Sequence, residues 1–156
     1  MTNEVYIRSA IADDAEKLTN IAILGKAHWG YSEKFMHHCR NELQVLAIDI
    51  DNTKHQFHVA VISDQCVGFY ELTDIDNIHS ELDALFVLPA YMRRGIGKRL
   101  MENAMNFARQ NGIQYLHIQS DPNAVDFYLK AGANLIGQSE SGSFSGRMLP
   151  LLKLDL

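Results

Sequence analysis

Cysteine is scarce in this chain: two residues among 156, Cys39 and Cys66. Two thiols build neither a disulfide framework nor a metal site by themselves, so both are read as small buried hydrophobes, and no metal is expected. Long apolar runs are missing too. Nothing approaches the ~18 residues a membrane span requires, and no membrane partner is expected. Repeats, low-complexity tracts and linkers are absent, and the length suits one domain over residues 1–156. Basic charge is in deficit, with 14 Lys and Arg against 19 Asp and Glu and a formal net charge of −5. That balance excludes broad nucleic-acid binding, which needs a basic face. Met1-Thr2-Asn3-Glu4 has neither the basic nor the apolar part of a signal peptide, so a cytoplasmic location is expected.

What is present is ordinary globular patterning, 47% hydrophobic and 21% charged. Residues 4–9 read as a short strand. Asp13 or Asp14 caps a helix with Ala15, Leu18 and Ala22 on one face; Ser32 caps a second with Phe35, Met36, Cys39 and Leu43 on one side. Segments 57–62 and 66–72 form a hairpin around Ser63-Asp64-Gln65. A strand over 79–88 stops at Pro89. The next helix, Ile96 to Gln110, carries Leu100, Ala104, Phe107 and Ala108 as a stripe and ends at Asn111-Gly112. Strand 115–119, a short helix over 123–130 closed by Gly132, and strands near 134–138 and 147–155 complete the order β-α-α-β-β-β-α-β-α-β-β. The expected fold class is α+β, a mixed sheet of six or seven strands with about four helices on its faces.

The few basic residues are clustered. Arg93, Arg94, Lys98 and Arg99 fall within seven positions, around Gly95-Ile96-Gly97, where a strand gives way to a helix. Glycine lets the backbone turn left-handed and approach a ligand, and a helix's first turn offers unpaired N–H groups and partial positive charge. Arg93, Arg94 and Lys98 add charge to what reads as a pyrophosphate cradle; a tight turn with a solvated basic face is the plainer alternative. Two rival nucleotide motifs fail. A P-loop needs Ser or Thr after Gly97-Lys98, where Arg99 stands, and a dinucleotide fingerprint needs glycine where Leu100 stands.

In that setting Met92-Arg93-Arg94-Gly95-Ile96-Gly97 resembles motif A of the GNAT superfamily, [QR]-x-x-G-x-[GA] after the fourth strand. Met92 departs from the usual Gln or Arg. Asn123-Ala124-Val125-Asp126-Phe127-Tyr128-Leu129-Lys130-Ala131-Gly132 is similar to motif B, with its F-Y-x-K-x-G core intact. The resemblance implies a GNAT-like acyltransferase fold, with acetyl-CoA lying in the splay between strands four and five. It implies cofactor contacts from Arg93, Arg94, Gly95, Ile96, Gly97, Lys98 and Lys130, and from Asn123 to the pantetheine arm. It also implies that Tyr128 acts as general acid to the departing thiolate, a task a phenol of pKa near ~10 suits. The implied reaction is direct attack by a primary amine of a small molecule or peptide; the alternative is an acyl-CoA-binding sensor or assembly subunit without turnover.

Within the fourth strand, the resemblance places backbone groups of Leu85, Phe86 and Val87 along pantetheine, with the N–H groups of Phe86 and Val87 at the thioester carbonyl. Strict alternation would set Glu81, Asp83, Leu85 and Val87 on one face and Leu82, Ala84 and Phe86 on the other. Glu81 matches a position where some family members keep a catalytic glutamate; it reads equally as an ordinary strand carboxylate. Asp83 and Glu71 stand in reserve, ahead of His79 and His117. On the acceptor side, segments 26–32 and 139–147 resemble those of a bacterial subgroup of the family. Trp29 either walls a ligand or seats the turn between helices on the core. The apolar end Met148-Leu149-Pro150-Leu151-Leu152 either pairs a homodimer or belongs to the core.

Overall fold

The computed structural model describes residues 4–76 and 78–156. Seven strands form one sheet: β1 (Tyr6–Ser9), β2 (Gln56–Ile62), β3 (Gln65–Thr73), β4 (His79–Val87), β5 (Tyr115–Gln119), β6 (Asn134–Glu140) and β7 (Met148–Asp155). Their order is β1-β2-β3-β4-β5-β7-β6, antiparallel throughout except for the β4–β5 pair. The hairpin β2–β3 turns through Ser63 and Asp64 alone, both at positive φ (48° and 64°), the backbone a two-residue turn needs to match strand twist.

Five α-helices among the described residues cover the two faces: α1 (Ala15–Ala27), α2 (Glu33–Leu43), the single turn α3 (Ala47–Ile50), α4 (Ile96–Gln110) and α5 (Val125–Lys130). Leu18, Ile21 and Ala22 of α1 and Cys39 and Leu43 of α2 bury against Val59, Val61, Cys66 and Phe69 on one face. Leu100, Met101, Ala104 and Ala108 of α4 bury against Val67, Tyr70, Leu72 and Leu82 on the other. Both cysteines are free and buried, as their rarity implied. The Ser32 hydroxyl accepts the Phe35 N–H at 3.1 Å and caps α2. Asp14 precedes α1 but spends its carboxylate backward, on the Ile11 N–H at 2.9 Å and the Arg8 guanidinium at 2.8 Å.

One expectation fails inside β4. The β3–β4 register shifts between Glu71↔Ala84 and Leu72↔Leu82, so Asp83 is an extra, bulged residue. A bulge resets the alternation. Leu82, Leu85 and Val87 consequently share the α4 face, while Ala84 and Phe86 lie on the α1–α2 face. Leu85 and Val87 are not on the face of Glu81, as strict alternation required. Of the apolar end, Leu152 is fully buried and Met148 is 48% exposed, so this segment serves both core and surface.

Candidate active site

The parallel ladder between β4 and β5 has three rungs among the described residues, His79↔Tyr115, Ser80↔Leu116 and Glu81↔His117. Beyond them β5 stops at Gln119 and β4 runs on to Val87 alone, so the sheet opens into a cleft. Leu88 donates its N–H to the Val67 carbonyl at 2.8 Å. Residues of an antiparallel strand alternate in the side their N–H faces. Val87 and Leu85 therefore present N–H groups to the cleft, and Phe86 turns its own toward β3. Phe86 packs instead beneath α1, where a Cβ at Gly25 would lie 3.2 Å from its ring. The expected N–H pair of Phe86 and Val87 is thus replaced by Leu85 and Val87.

At the mouth of the cleft the chain passes Met92 in extended conformation, then Arg93 and Gly95 at φ of 65° and 77°. Gly95 caps α4 in the left-handed region, and the first helical bond is Arg99 N–H to the Gly95 carbonyl at 3.1 Å. The N–H groups of Ile96, Gly97 and Lys98 are thereby left open at the positive end of the helix. Arg93, Arg94 and Lys98 are exposed, and among the described residues none is in an ion pair. Gly97 allows close packing: a Cβ there would meet Phe127 at 3.3 Å. Met92 lines the cavity within the cleft, in place of a polar contact.

That cavity, about 250 Å³, is bounded by β4, β5, α1, α2 and the β6–β7 loop. Tyr128, from α5, reaches it while only 7% exposed. Burial, with the charge of Asp121, pushes its phenol well above the ordinary value, so it is protonated at neutral pH. Asn123 and Lys130 are exposed. The Asn123 amide donates to Asp121 at 2.8 Å and to the Tyr31 hydroxyl at 3.3 Å.

The lining is acidic, with Glu42, Glu71, Glu81, Asp83 and Asp121. Glu71 contacts His55 Nδ1 at 2.6 Å with its side chain 12% exposed. Burial and the neighbouring Asp83 charge push its carboxyl up to about 7 against the pull of His55. Glu81 sits between His79 Nε2 and His117 Nδ1, at 3.5 Å from each. Burial likewise raises Glu42, which accepts the Ser143 hydroxyl.

A strap closes the outer end. The Tyr31 hydroxyl donates to Asp121 at 2.7 Å and Lys26 pairs with Asp121 at 3.2 Å. Burial opposes the Asp121 charge, yet the Asn123 N–H, Tyr31 and Lys26 hold its carboxyl below the ordinary range. Tyr31, Phe35 and Phe144 stack at 4.2 and 4.6 Å, with the Arg147 guanidinium 5.0 Å from the Phe35 ring. Trp29 is 44% exposed and lines the cavity, which favours a ligand wall over a core seat. Glu42 and the Tyr31–Asp121 clamp went unnoticed in the sequence. Their partners lie 101 and 90 residues away, beyond the reach of any local pattern.

A family model described as an acetyltransferase (GNAT) domain matches residues 11–142. The chain is 31% identical over 150 residues to the peptidyl-lysine N-acetyltransferase YjaB of Salmonella typhimurium, covering 96% of this chain and 97% of that one. A shorter match, 38% over 58 residues and 36% of each chain, is to the N-alpha-acetyltransferase RimI of Mycobacterium tuberculosis. In structure it resembles the PaiA N-acetyltransferase of Thermoplasma acidophilum, solved with coenzyme A. The TM-score is 0.82 at 23% identity, over 98% of this chain and 99% of that one. The open α4 N-terminus and the half-zipped β4–β5 pair are what such a cofactor needs, and the chain belongs to the GNAT superfamily as an acetyl-CoA-dependent N-acetyltransferase.

Proposed function

We propose that this enzyme acetylates a lysine side chain of a peptide or protein, by direct attack of the amine on acetyl-CoA. The observation that carries the reading is the acidic lining of the cavity that Tyr128 reaches: a cationic acceptor entering it meets Glu42, Glu71, Glu81 and Asp83 and is drawn by charge before it reacts. The name of the Salmonella relative points to the same acceptor class.

In this mechanism the pyrophosphate rests on the N–H groups of Ile96, Gly97 and Lys98, with Gly95 shaping the turn and Arg93 and Arg94 neutralising charge. Pantetheine runs beside Leu85 and Val87, near Asn123, and Lys130 is left for the nucleotide end. The ammonium gives a proton to a carboxylate. Glu71 suits that role because a base is best matched near the working pH; Glu81 is the second candidate. The amine nitrogen bonds to the thioester carbon while the Val87 N–H holds the carbonyl oxygen. Collapse breaks the carbon–sulfur bond, Tyr128 donates its proton to the leaving thiolate, and the surplus proton on nitrogen restores the phenol. A homodimer through edge strand β6, whose Leu135 and Ile136 are 57% and 51% exposed, and a cytoplasmic location belong to the same reading; light scattering at several concentrations tests the dimer.

The deciding experiment is CoA thiol release with lysine peptides, N-terminal peptides, polyamines and aminoglycosides, on wild type and Tyr128→Phe. Lysine-dependent release that falls by about 10²-fold or more in kcat, with acetyl-CoA binding within a few-fold, is expected. Release with every acceptor class except lysine peptides would sink the acceptor assignment, and an unchanged kcat in Tyr128→Phe would remove the general acid.

A further inference from the structure

We propose that His79, Glu81 and His117 bind a divalent transition-metal ion of the zinc class, tying β4 to β5 at the closed end of the cleft. The three side chains come from the only rungs that join these strands among the described residues. Glu81 and His117 are register partners, and His79 precedes Glu81 by two positions on the same face. One ligand atom from each lies within 4.8 Å of the other two.

The spacing distinguishes this cluster from a row of hydrogen bonds. Glu81 Oε1 stands 3.5 Å from both His79 Nε2 and His117 Nδ1. A hydrogen bond of this kind is drawn in to roughly 2.7–3.2 Å. Donors around one zinc ion, at bonds of about 2.0–2.1 Å in a tetrahedron, sit about 3.3 Å apart. Two of the three separations thus match donors around one ion, and with the third within 4.8 Å a small rotation of either imidazole completes the set.

Their surroundings fix the orientation. Asp76 Oδ1 accepts the N–H groups of Ile78 and His79, both at 2.6 Å. Its Oδ2 lies 2.9 Å from His79 Nδ1. With Nδ1–H donated to Asp76, the Nε2 lone pair points at Glu81, an arrangement in which a carboxylate orients a metal-binding histidine. The Tyr115 ring lies 5.5 Å from that of His79 and 5.1 Å from that of His117, holding both in place. Side-chain exposures of 26%, 32% and 28% for His79, Glu81 and His117 leave an entry path and room for water as a further ligand. Imidazole nitrogens with one carboxylate suit zinc, copper, nickel and iron rather than magnesium or calcium. A bound ion would also occupy Glu81, leaving Glu71 as the carboxylate free to take a proton.

The test uses tag-free protein stripped with chelator and titrated with zinc by calorimetry, then with cobalt(II) read by visible absorption. Saturable one-to-one binding is expected, with Tm rising by about 5–10 °C at a hundredfold excess over Kd. His117→Gln and His79→Gln, each checked for fold by circular dichroism, should weaken binding at least tenfold and erase the Tm rise. Asp76→Asn should weaken it about 10–100-fold, while His37→Gln should leave it unchanged. Absence of saturable binding at micromolar zinc, or binding indifferent to His79→Gln and His117→Gln, would overturn the assignment in favour of two histidines flanking a glutamate.

Discussion

Replacing Glu71 by glutamine should make the protein more resistant to alkaline conditions while disabling it. The Glu71 carboxyl moves from an ordinary 4.5 to about 7 in the folded chain, chiefly through burial. Between those values the folded state holds a proton that the unfolded state has lost. Stability from this group is therefore complete below pH 4.5 and is lost as pH rises through 7. At about 1.36 kcal/mol per pKa unit, the loss is on the order of 3 kcal/mol by pH 8. Glutamine keeps the shape and the contact with His55 but carries no titrating proton. Urea unfolding of wild type and Glu71→Gln, followed by circular dichroism from pH 4.5 to 8 in the presence of chelator, reads this directly. The variant should gain about 3 kcal/mol relative to wild type across that range. If Glu71 is the base, kcat/KM of the variant should also lose its rise near pH 7. Stability curves that stay parallel would refute the claim that this carboxyl is held protonated by its surroundings.

Three further outcomes follow from the same geometry. Tyr31→Phe removes the 2.7 Å bond to Asp121; steady-state kinetics should show acceptor KM rising severalfold with acetyl-CoA KM unchanged, and stability falling by about 1 kcal/mol. Gly95→Ala meets no atom within 4 Å but must adopt φ of 77°. Denaturant titration should show a loss of about 1–2 kcal/mol from backbone strain alone, and calorimetry a weaker affinity for acetyl-CoA. Arg8→Ala strands Asp14, whose side chain is 4% exposed, and should cost about 3 kcal/mol at pH 7. The hydrogen bond from Arg8 holds Asp14 below its ordinary value, so its stabilisation is present above pH ~4 and fades in acid. The gap between variant and wild type should therefore close toward pH 3.

Elements with strong local signals were legible before any coordinates. Ser32 announced its helix because a hydroxyl before an apolar stripe has a backbone N–H to cap. Gly95 and Gly97 announced the turn into α4, because one position takes a left-handed φ that side chains disfavour and the other packs against Phe127 where a Cβ would crowd it. Tyr128 was legible through its motif rather than its chemistry: nothing local says that position 128 is buried beside a cavity. The acidic wall was the opposite case. Glu42, Glu71 and Asp121 come from different elements, and their meeting is a property of sheet order and helix packing. Residue type alone could offer Glu71 only as a reserve, since its raised pKa comes from burial and from Asp83, twelve positions along the chain.

The bulge at Asp83 joins these threads. Without it, the alternation of β4 would carry Leu85 and Val87 to the carboxylate face and send Ala84 and Phe86 under α4. With one residue inserted, Leu82, Leu85 and Val87 form a continuous apolar row against α4. Glu81 and Asp83 are left at the cavity beside Glu71. The same reset puts Phe86 beneath Gly25 of α1, which anchors the strand just where it loses β5 as a neighbour. A strand that abandons its ladder exposes unpaired backbone and needs another source of rigidity; here side-chain packing on both faces supplies it. Val87 thereby keeps its N–H open to the cleft without giving up its place in the fold. Deleting Asp83 should consequently leave Leu85 and Val87 facing α4, because removing the extra residue restores plain alternation from Leu82, and its cost to activity should come from the carboxylate lost from the cavity lining.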